Sequence, residues 1–156
     1  MTQVLVRPLG PADGDRLRAF HDTLSFDTVY QRFFCARGPL THAEVAHFTQ
    51  VDQRSRVALA AFADGELVGV ARYDVLPGTT DAETACVVTD AWQHRGVGTA
   101  LLTRLVEVAR RSGVRRFVAD TLVSNTRMQR LLASIAPTRT SAVDHGVTHV
   151  LVDIGD

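Results

Sequence analysis

Val4 and Val6 alternate with polar neighbours and predict a first strand that stops near Pro8. Leu17, Phe20 and Leu24 then recur close to helical spacing, behind Asp13 and Asp15, either of which can cap a helix. A second short helix is expected from Asp27 to Phe34. Gly38-Pro39 breaks the chain, and Thr41 with Glu44 forms a capping box for a third helix, HAEVAHFTQ. RVALAAF and ELVGVARYDV read as strands joined by Ala63-Asp64-Gly65, a hairpin signal. Pro77-Gly78 closes the second run. A third strand, ETACVVTD, ends at Asp90. From Val97 to Ser112 a long helix is expected, apolar at Leu101, Leu102, Leu105, Val106, Val108 and Ala109, and so well buried against a sheet. Ser112-Gly113 stops it. RRFVADTLV is a strand, Ser124 can cap a helix NTRMQRLLASI, and Pro137 ends that helix. Two short strands close the chain, the second being VTHVLVDI. The order predicts an α+β fold in three α/β/α layers. Its central sheet is mixed, mostly antiparallel, of about seven strands, with helices on both faces and one domain over 1–156.

Composition narrows the function classes. The chain has 156 residues, 46% apolar and 22% charged, with zero formal net charge. Such neutrality argues against a broad grip on nucleic acid or an anionic membrane. No apolar run approaches the roughly 18 residues of a membrane span. The N-terminus does not resemble a secretory signal, so a cytoplasmic protein is expected. Cys35 and Cys86 give neither a disulfide framework nor a zinc spacing. Of the six histidines, His42 and His47 lie off helical ligand spacing, and His145 and His149 flank Gly146 in an expected turn; no metal is expected. Cys86 reads as an inert strand cysteine.

The chemistry concentrates in Trp92 to Leu102, WQHRGVGTALL, where a strand gives way to a helix. First-turn amides of a helix lack intrahelical partners, and the helix dipole adds positive charge there. Gly96 and Gly98 remove Cβ atoms that would hold an anion away from the backbone. Gln93, His94 and Arg95 bring further N–H groups and a guanidinium. The stretch suits a phosphate-bearing ligand. It is not the nucleotide loop ending in Gly-Lys-Ser/Thr, since Thr99-Ala100 follows the second glycine, and Leu101 stands where the dinucleotide fingerprint needs a third.

Gln-x-x-Gly-x-Gly behind a strand and ahead of Ala-Leu-Leu resembles the acyl-coenzyme A pyrophosphate loop of the GNAT superfamily of N-acetyltransferases. Asn125, opening the next helix, agrees with that pattern. RPLGPADGDRLRAFHDTLSFDTVYQRFF and LTHAEVAHFTQVD further resemble the acetyltransferase module of bacterial Pat-type protein lysine acetyltransferases. In those proteins the module is commonly fused to a cyclic-nucleotide-binding or acyl-CoA-synthetase-like domain, and 156 residues leave no room for either in this chain.

The resemblance implies acetyl-CoA as co-substrate and an amine acceptor, a protein lysine or a small molecule. It implies that Cys86, Val87 and Val88 offer strand backbone to the pantetheine arm, at an edge opened by two splayed strands. Gln93, His94, Arg95, Gly96, Val97, Gly98 and Thr99 would hold the pyrophosphate, and Asn125 the pantetheine arm from the far side. Arg127 reads chiefly as solvated. Glu83 is the expected general base, with Asp81 its competitor, partly desolvated in an apolar strand so that its pKa rises. The N–H of Val87 or Val88 would polarise the thioester oxygen. Many relatives carry a tyrosine seven residues past the asparagine; Leu132 stands there, so the thiolate leaves unaided or takes a proton from water. Direct attack is expected, since no nucleophile is placed for a covalent intermediate. A second reading is a module that binds acyl-CoA without turnover. Arg32, Arg54 and Arg56 either favour an acidic acceptor or are solvated, and the last strands leave pairing across a homodimer open.

Overall fold

The computed structural model describes residues 3–155. Seven strands form one sheet in the order β1-β2-β3-β4-β5-β7-β6. They are β1 (Val4–Pro8), β2 (Arg56–Ala63), β3 (Glu66–Val75), β4 (Asp81–Val88), β5 (Arg116–Leu122), β6 (Thr138–Asp144) and β7 (Val147–Asp153). All neighbours run antiparallel except β4 and β5. Two hairpins use the expected chemistry. Asp64 and Gly65 join β2 to β3 with φ of 52° and 80°, and His145 and Gly146 join β6 to β7 with φ of 50° and 78°. Both pairs fit the turn that matches strand twist.

The helices are α1 (Gly14–Asp22), α2 (Phe26–Phe33), α3 (His42–Thr49), α4 (Val97–Arg111) and α5 (Thr126–Ile135). The capping box of α3 forms as expected: Glu44 N donates to Thr41 Oγ1 at 3.1 Å, and Thr41 N donates to Glu44 Oε1 at 3.0 Å. Two boundaries differ from the sequence pattern. Strand β4 ends at Val88, because Asp90–Trp92 tighten into a 3₁₀ turn. Helix α5 is capped by Asn125, not Ser124: Asn125 Oδ1 accepts from Met128 N at 3.1 Å.

Two apolar clusters sandwich the sheet. On one face α4 buries Val97, Leu101, Leu102, Leu105, Val106 and Ala109, the stripe anticipated from the sequence, with Leu132 of α5 and Phe117 of β5. Gly69 of β3 makes this approach feasible: a Cβ there would stand 3.0 Å from Leu101 Cδ1. On the other face Leu17, Phe20 and Leu40 pack on Ala58, Ala60 and Val70. Both faces carry helices, but β6 is exposed along its whole length.

Asp13 is buried at the N-cap of α1 yet does not cap it. Its carboxylate instead takes Arg7 in a two-pronged pair at 2.9 and 2.7 Å, and accepts from Gly10 N at 3.0 Å. The Arg7 guanidinium and that amide outweigh burial and hold the Asp13 pKa at about 2. A depressed pKa stabilises the fold above the ordinary value of 3.8, and the contribution is lost as pH falls through about 2. Asp13→Ala is therefore expected to cost about 1–3 kcal/mol at pH 7. Urea unfolding at pH 7 and at pH 2 checks this: the gap between parent and variant should shrink at the lower pH.

Candidate active site

Strands β4 and β5 pair only at their beginnings. Asp81, Ala82 and Glu83 face Arg116, Phe117 and Val118, and the register ends there. Beyond Glu83 the two strands part, while β4 stays paired to β3 as far as Val88 and β5 to β7 as far as Leu122. The gap opens into a cleft of about 580 Å³ that reaches from Glu83 to the start of α4.

Alternation decides which backbone groups line the gap. Thr89 N donates to Val68 O on β3 at 2.9 Å. The amide two residues back, that of Val87, points the same way, so those of Cys86 and Val88 point to the open edge. Of the two amides considered for the thioester oxygen, only that of Val88 faces the gap.

At the wide end, the loop before α4 bends through left-handed backbone at His94 (φ 62°) and Gly96 (φ 82°). Gly96 is the N-cap of α4 and has no side chain to cap it. Among the described residues, none of the amides from His94 to Thr99 donates a hydrogen bond within the chain. A run of free N–H groups at a helix N-terminus is an anion cradle, and a diphosphate fits its chemistry. Gly98 keeps the cradle narrow: a Cβ there would come 2.9 Å from Leu131 Cδ2 on α5.

Several side chains expected in this loop hold it in place. Gln93 Nε2 donates to Val88 O at 3.0 Å and to Thr28 Oγ1 at 3.3 Å, and Gln93 Oε1 accepts from Arg127. Arg127 is thus engaged with the loop. The Arg95 guanidinium lies 4.8 Å from the Trp92 ring centre. Asn125 is buried beside the cleft. Its Oδ1 serves the α5 cap, and its Nδ2 makes no bond among the described residues. His94, Val97 and Thr99 line the cleft with the two glycines.

Glu83 stands where the strands part and lines the cleft, but it is exposed, not desolvated. The expectation of partial burial fails because Glu83 sits at the last β4–β5 pair, at the mouth of the gap. Asp81 is committed to Arg116 at 2.8 Å. Cys86 faces the core, and burial pushes its thiol up to about 12, against relief from Arg32, which leaves it inert. Leu132 is buried, and the Ser134 hydroxyl donates to Leu131 O at 2.6 Å.

Three residues escaped the sequence reading. Asp120 lines the cleft across from Glu83 and bonds His149 Nδ1 at 2.7 Å. Hydrogen bonding to Asp120 raises the His149 pKa, opposed by desolvation and backed by Asp144. Strand alternation in β5 was the available signal for Asp120, which shares a face with Val118 and Leu122. The third residue is Arg72, buried in the wall of the cleft.

A splayed parallel pair beside a glycine-bearing amide loop defines a class of protein, and comparison with known proteins agrees. Residues 22–135 match the family model described as Acetyltransferase (GNAT) family. The chain is 31% identical to an acetyltransferase of Pseudomonas aeruginosa over 136 residues, 85% of this chain and 73% of that one. It is 33% identical to the acetyltransferase Pat of Mycolicibacterium smegmatis over 81% of its own length, but spans only 39% of Pat. The crystal structure of the GNAT domain of S. lividans PAT superposes with a TM-score of 0.89 at 32% identity, covering 97% of this chain and 96% of that one. The fold is also that of yncA from Salmonella typhimurium, solved with its cofactor acetyl-CoA (TM-score 0.79, 21% identity, 98% and 95% covered). The chain belongs to the GNAT acetyltransferase family. By that membership it is an acetyltransferase of the GNAT type.

Gly98→Val should raise the Kd for coenzyme A about tenfold or more, matching the roughly 1–3 kcal/mol that overpacking costs. Titration calorimetry with coenzyme A checks it, and an unchanged Kd would remove the loop from the binding site.

Proposed function

We propose that this chain moves the acetyl group of acetyl-CoA directly onto a primary amine, with Glu83 as general base, and that the amine is a protein lysine. The observation that carries the reading is the open edge of β4, with a carboxylate at one end and unpartnered amides at the other. The lysine rests on the likeness to Pat-type modules.

When bound, acetyl-CoA supplies a thioester carbonyl open to attack by an amine. The amides from His94 to Thr99 hold its diphosphate, with Gln93 bracing the loop from behind. The gap-facing N–H of Val88, between the cradle and Cys86, donates to the pantetheine arm in the manner of an added strand. Asn125 Nδ2 donates to the arm from the other wall. The acceptor enters from the α2 side.

An alkyl ammonium has a pKa near ~10.4 and cannot attack until it loses a proton. Glu83 accepts that proton, through a water where the acceptor nitrogen stands beyond direct reach, which its exposure permits. The Cys86 N–H, which faces the gap nearer to Glu83 than the Val88 N–H does, donates to the carbonyl oxygen as charge builds there. Among the described residues, no tyrosine lines the cleft. A thiol of pKa ~8.5 leaves as thiolate without an acid.

Glu83→Gln keeps the shape and removes the base. It should lower kcat by about 10²–10⁴-fold while leaving the Kd for acetyl-CoA unchanged. Release of free thiol over a panel of amines, with calorimetry on the same variant, tests this. Equal rates for parent and variant would discard Glu83 as the base. A parent that binds acetyl-CoA yet acetylates no amine would favour a binding module without turnover.

A further inference from the structure

Two arginines line the acceptor side of the cleft with almost no use for their donors. Arg72, on β3, is buried with 9% exposure. It makes one hydrogen bond, Nη2 to Phe48 O at 3.3 Å, and its guanidinium lies 4.5 Å from the Phe48 ring centre. Arg32, on α2, is half-buried. Its guanidinium lies 4.7 Å from the Phe33 ring centre and makes no hydrogen bond among the described residues. Both line the main cleft, and both line a smaller adjoining cavity of about 30 Å³ walled by Phe33, Phe48 and Val87.

Each guanidinium has five N–H donors, and leaving them unmet in a desolvated wall is costly. The nearest carboxylates do not meet them. Asp74 pairs with Arg56 at 3.6 Å, and Glu83 bonds neither arginine. Burial lowers the pKa of Arg72 to about 10; repulsion from Arg32 adds to the effect and attraction from Asp74 opposes it. Burial likewise lowers that of Arg32, against attraction from Cys86 and Asp74. Both cations are therefore held where an anion would relieve them.

Their position says which ligand that anion belongs to. Arg72 pairs with Ala85 across the β3–β4 ladder, and Asp74 with Glu83. Cross-strand partners share a face, so Arg72 stands one step along from the proposed base, on the side of the sheet that carries α2 and α3. The amide cradle lies at the far end of β4, beside Thr28, a full helical turn before Arg32. The arginines thus flank the acceptor and not the diphosphate.

We infer that Arg32 and Arg72 form a clamp for a carboxylate on the acceptor, so that the preferred amine carries such a group within a few bonds or one residue of its nitrogen. The inference rests on the acetyl-transfer reading above. The same chemistry is offered by a free amino acid and by a lysine flanked by acidic residues. A fixed guanidinium fork suits a carboxylate better than a point charge would. Cations placed here also disfavour an incoming ammonium, which helps the acceptor nitrogen to shed its proton.

The test uses matched acceptors. One arm compares lysine with 1,5-diaminopentane and methionine with 3-methylthiopropylamine. The other compares peptides with lysine between aspartates and between asparagines. The parent should favour the carboxylate-bearing partner in at least one arm by about 10- to 100-fold in kcat/KM, and the arm that responds identifies the source. Arg32→Gln and Arg72→Lys should remove most of that preference through KM, with little change for the partner that lacks the carboxylate. Thermal melts confirm that the variants fold, and Arg32→Gln stands alone if the Arg72 variant does not. Equal use of matched partners, equal loss on both, or a raised Kd for acetyl-CoA in the variants would each overturn the clamp. If the parent acetylates no amine, the transfer reading falls by itself. The clamp is then decided by whether carboxylate-bearing ligands raise the Tm of the parent and not of the variants.

Discussion

The site exists because β4 and β5 stop bonding to each other after three residue pairs. A parallel pair needs a crossover, and here the crossover is α4, fed by the loop that follows β4. Had the ladder continued to Val88, the amides of Cys86 and Val88 would be spent on β5. The parting leaves a strand edge inside the molecule, which costs unsatisfied backbone groups unless a ligand arrives. Part of that cost is met internally, because the Gln93 amide takes the Val88 carbonyl. What remains free is a donor edge, and it runs straight from a carboxylate to the amide cradle at the head of α4.

The rest of the fold keeps that geometry rigid. Helix α4 lies on the sheet over a glycine of β3, and its buried leucines lock it there. Helix α5 closes the other wall, approaching α4 so nearly that Gly98 cannot carry a side chain without displacing Leu131. Both the amides at the head of α4 and the open edge of β4 are therefore fixed before any ligand binds, the arrangement that catalysis by preorganised dipoles requires.

Much of this was legible in the residue pattern. Thr41 and Glu44 announced the start of α3, Asp64-Gly65 the β2–β3 turn, and the leucine stripe of α4 its buried face. The loop glycines were legible because they interrupt a strand-to-helix passage where any other residue would serve better. Legibility ended where three-dimensional phase decides. Ser124 and Asn125 are both good caps, and only backbone angles choose between them. Val87 and Val88 look alike until a hydrogen bond at Thr89 fixes which way each amide points. Glu83 was expected to be shielded, but it stands at the last β4–β5 pair, where the strands part and open the cleft. Arg72 drew no attention within its strand run; its burial beside Phe48 depends on a helix distant in the chain.

The carboxylate of Asp90 binds Ser25 and Thr28 at the head of α2, at distances from 2.7 to 3.2 Å, and Thr23 bonds Thr89 at 2.9 Å. With Gln93 also reaching Thr28, the loop and helix α2 are one stitched unit; on the reading proposed above, the first would cradle the donor and the second wall the acceptor. Neither can tighten around its own ligand without adjusting the other. The two substrates are thereby coupled in free energy: whatever factor the first to bind adds to the affinity for the second, the second returns to the first.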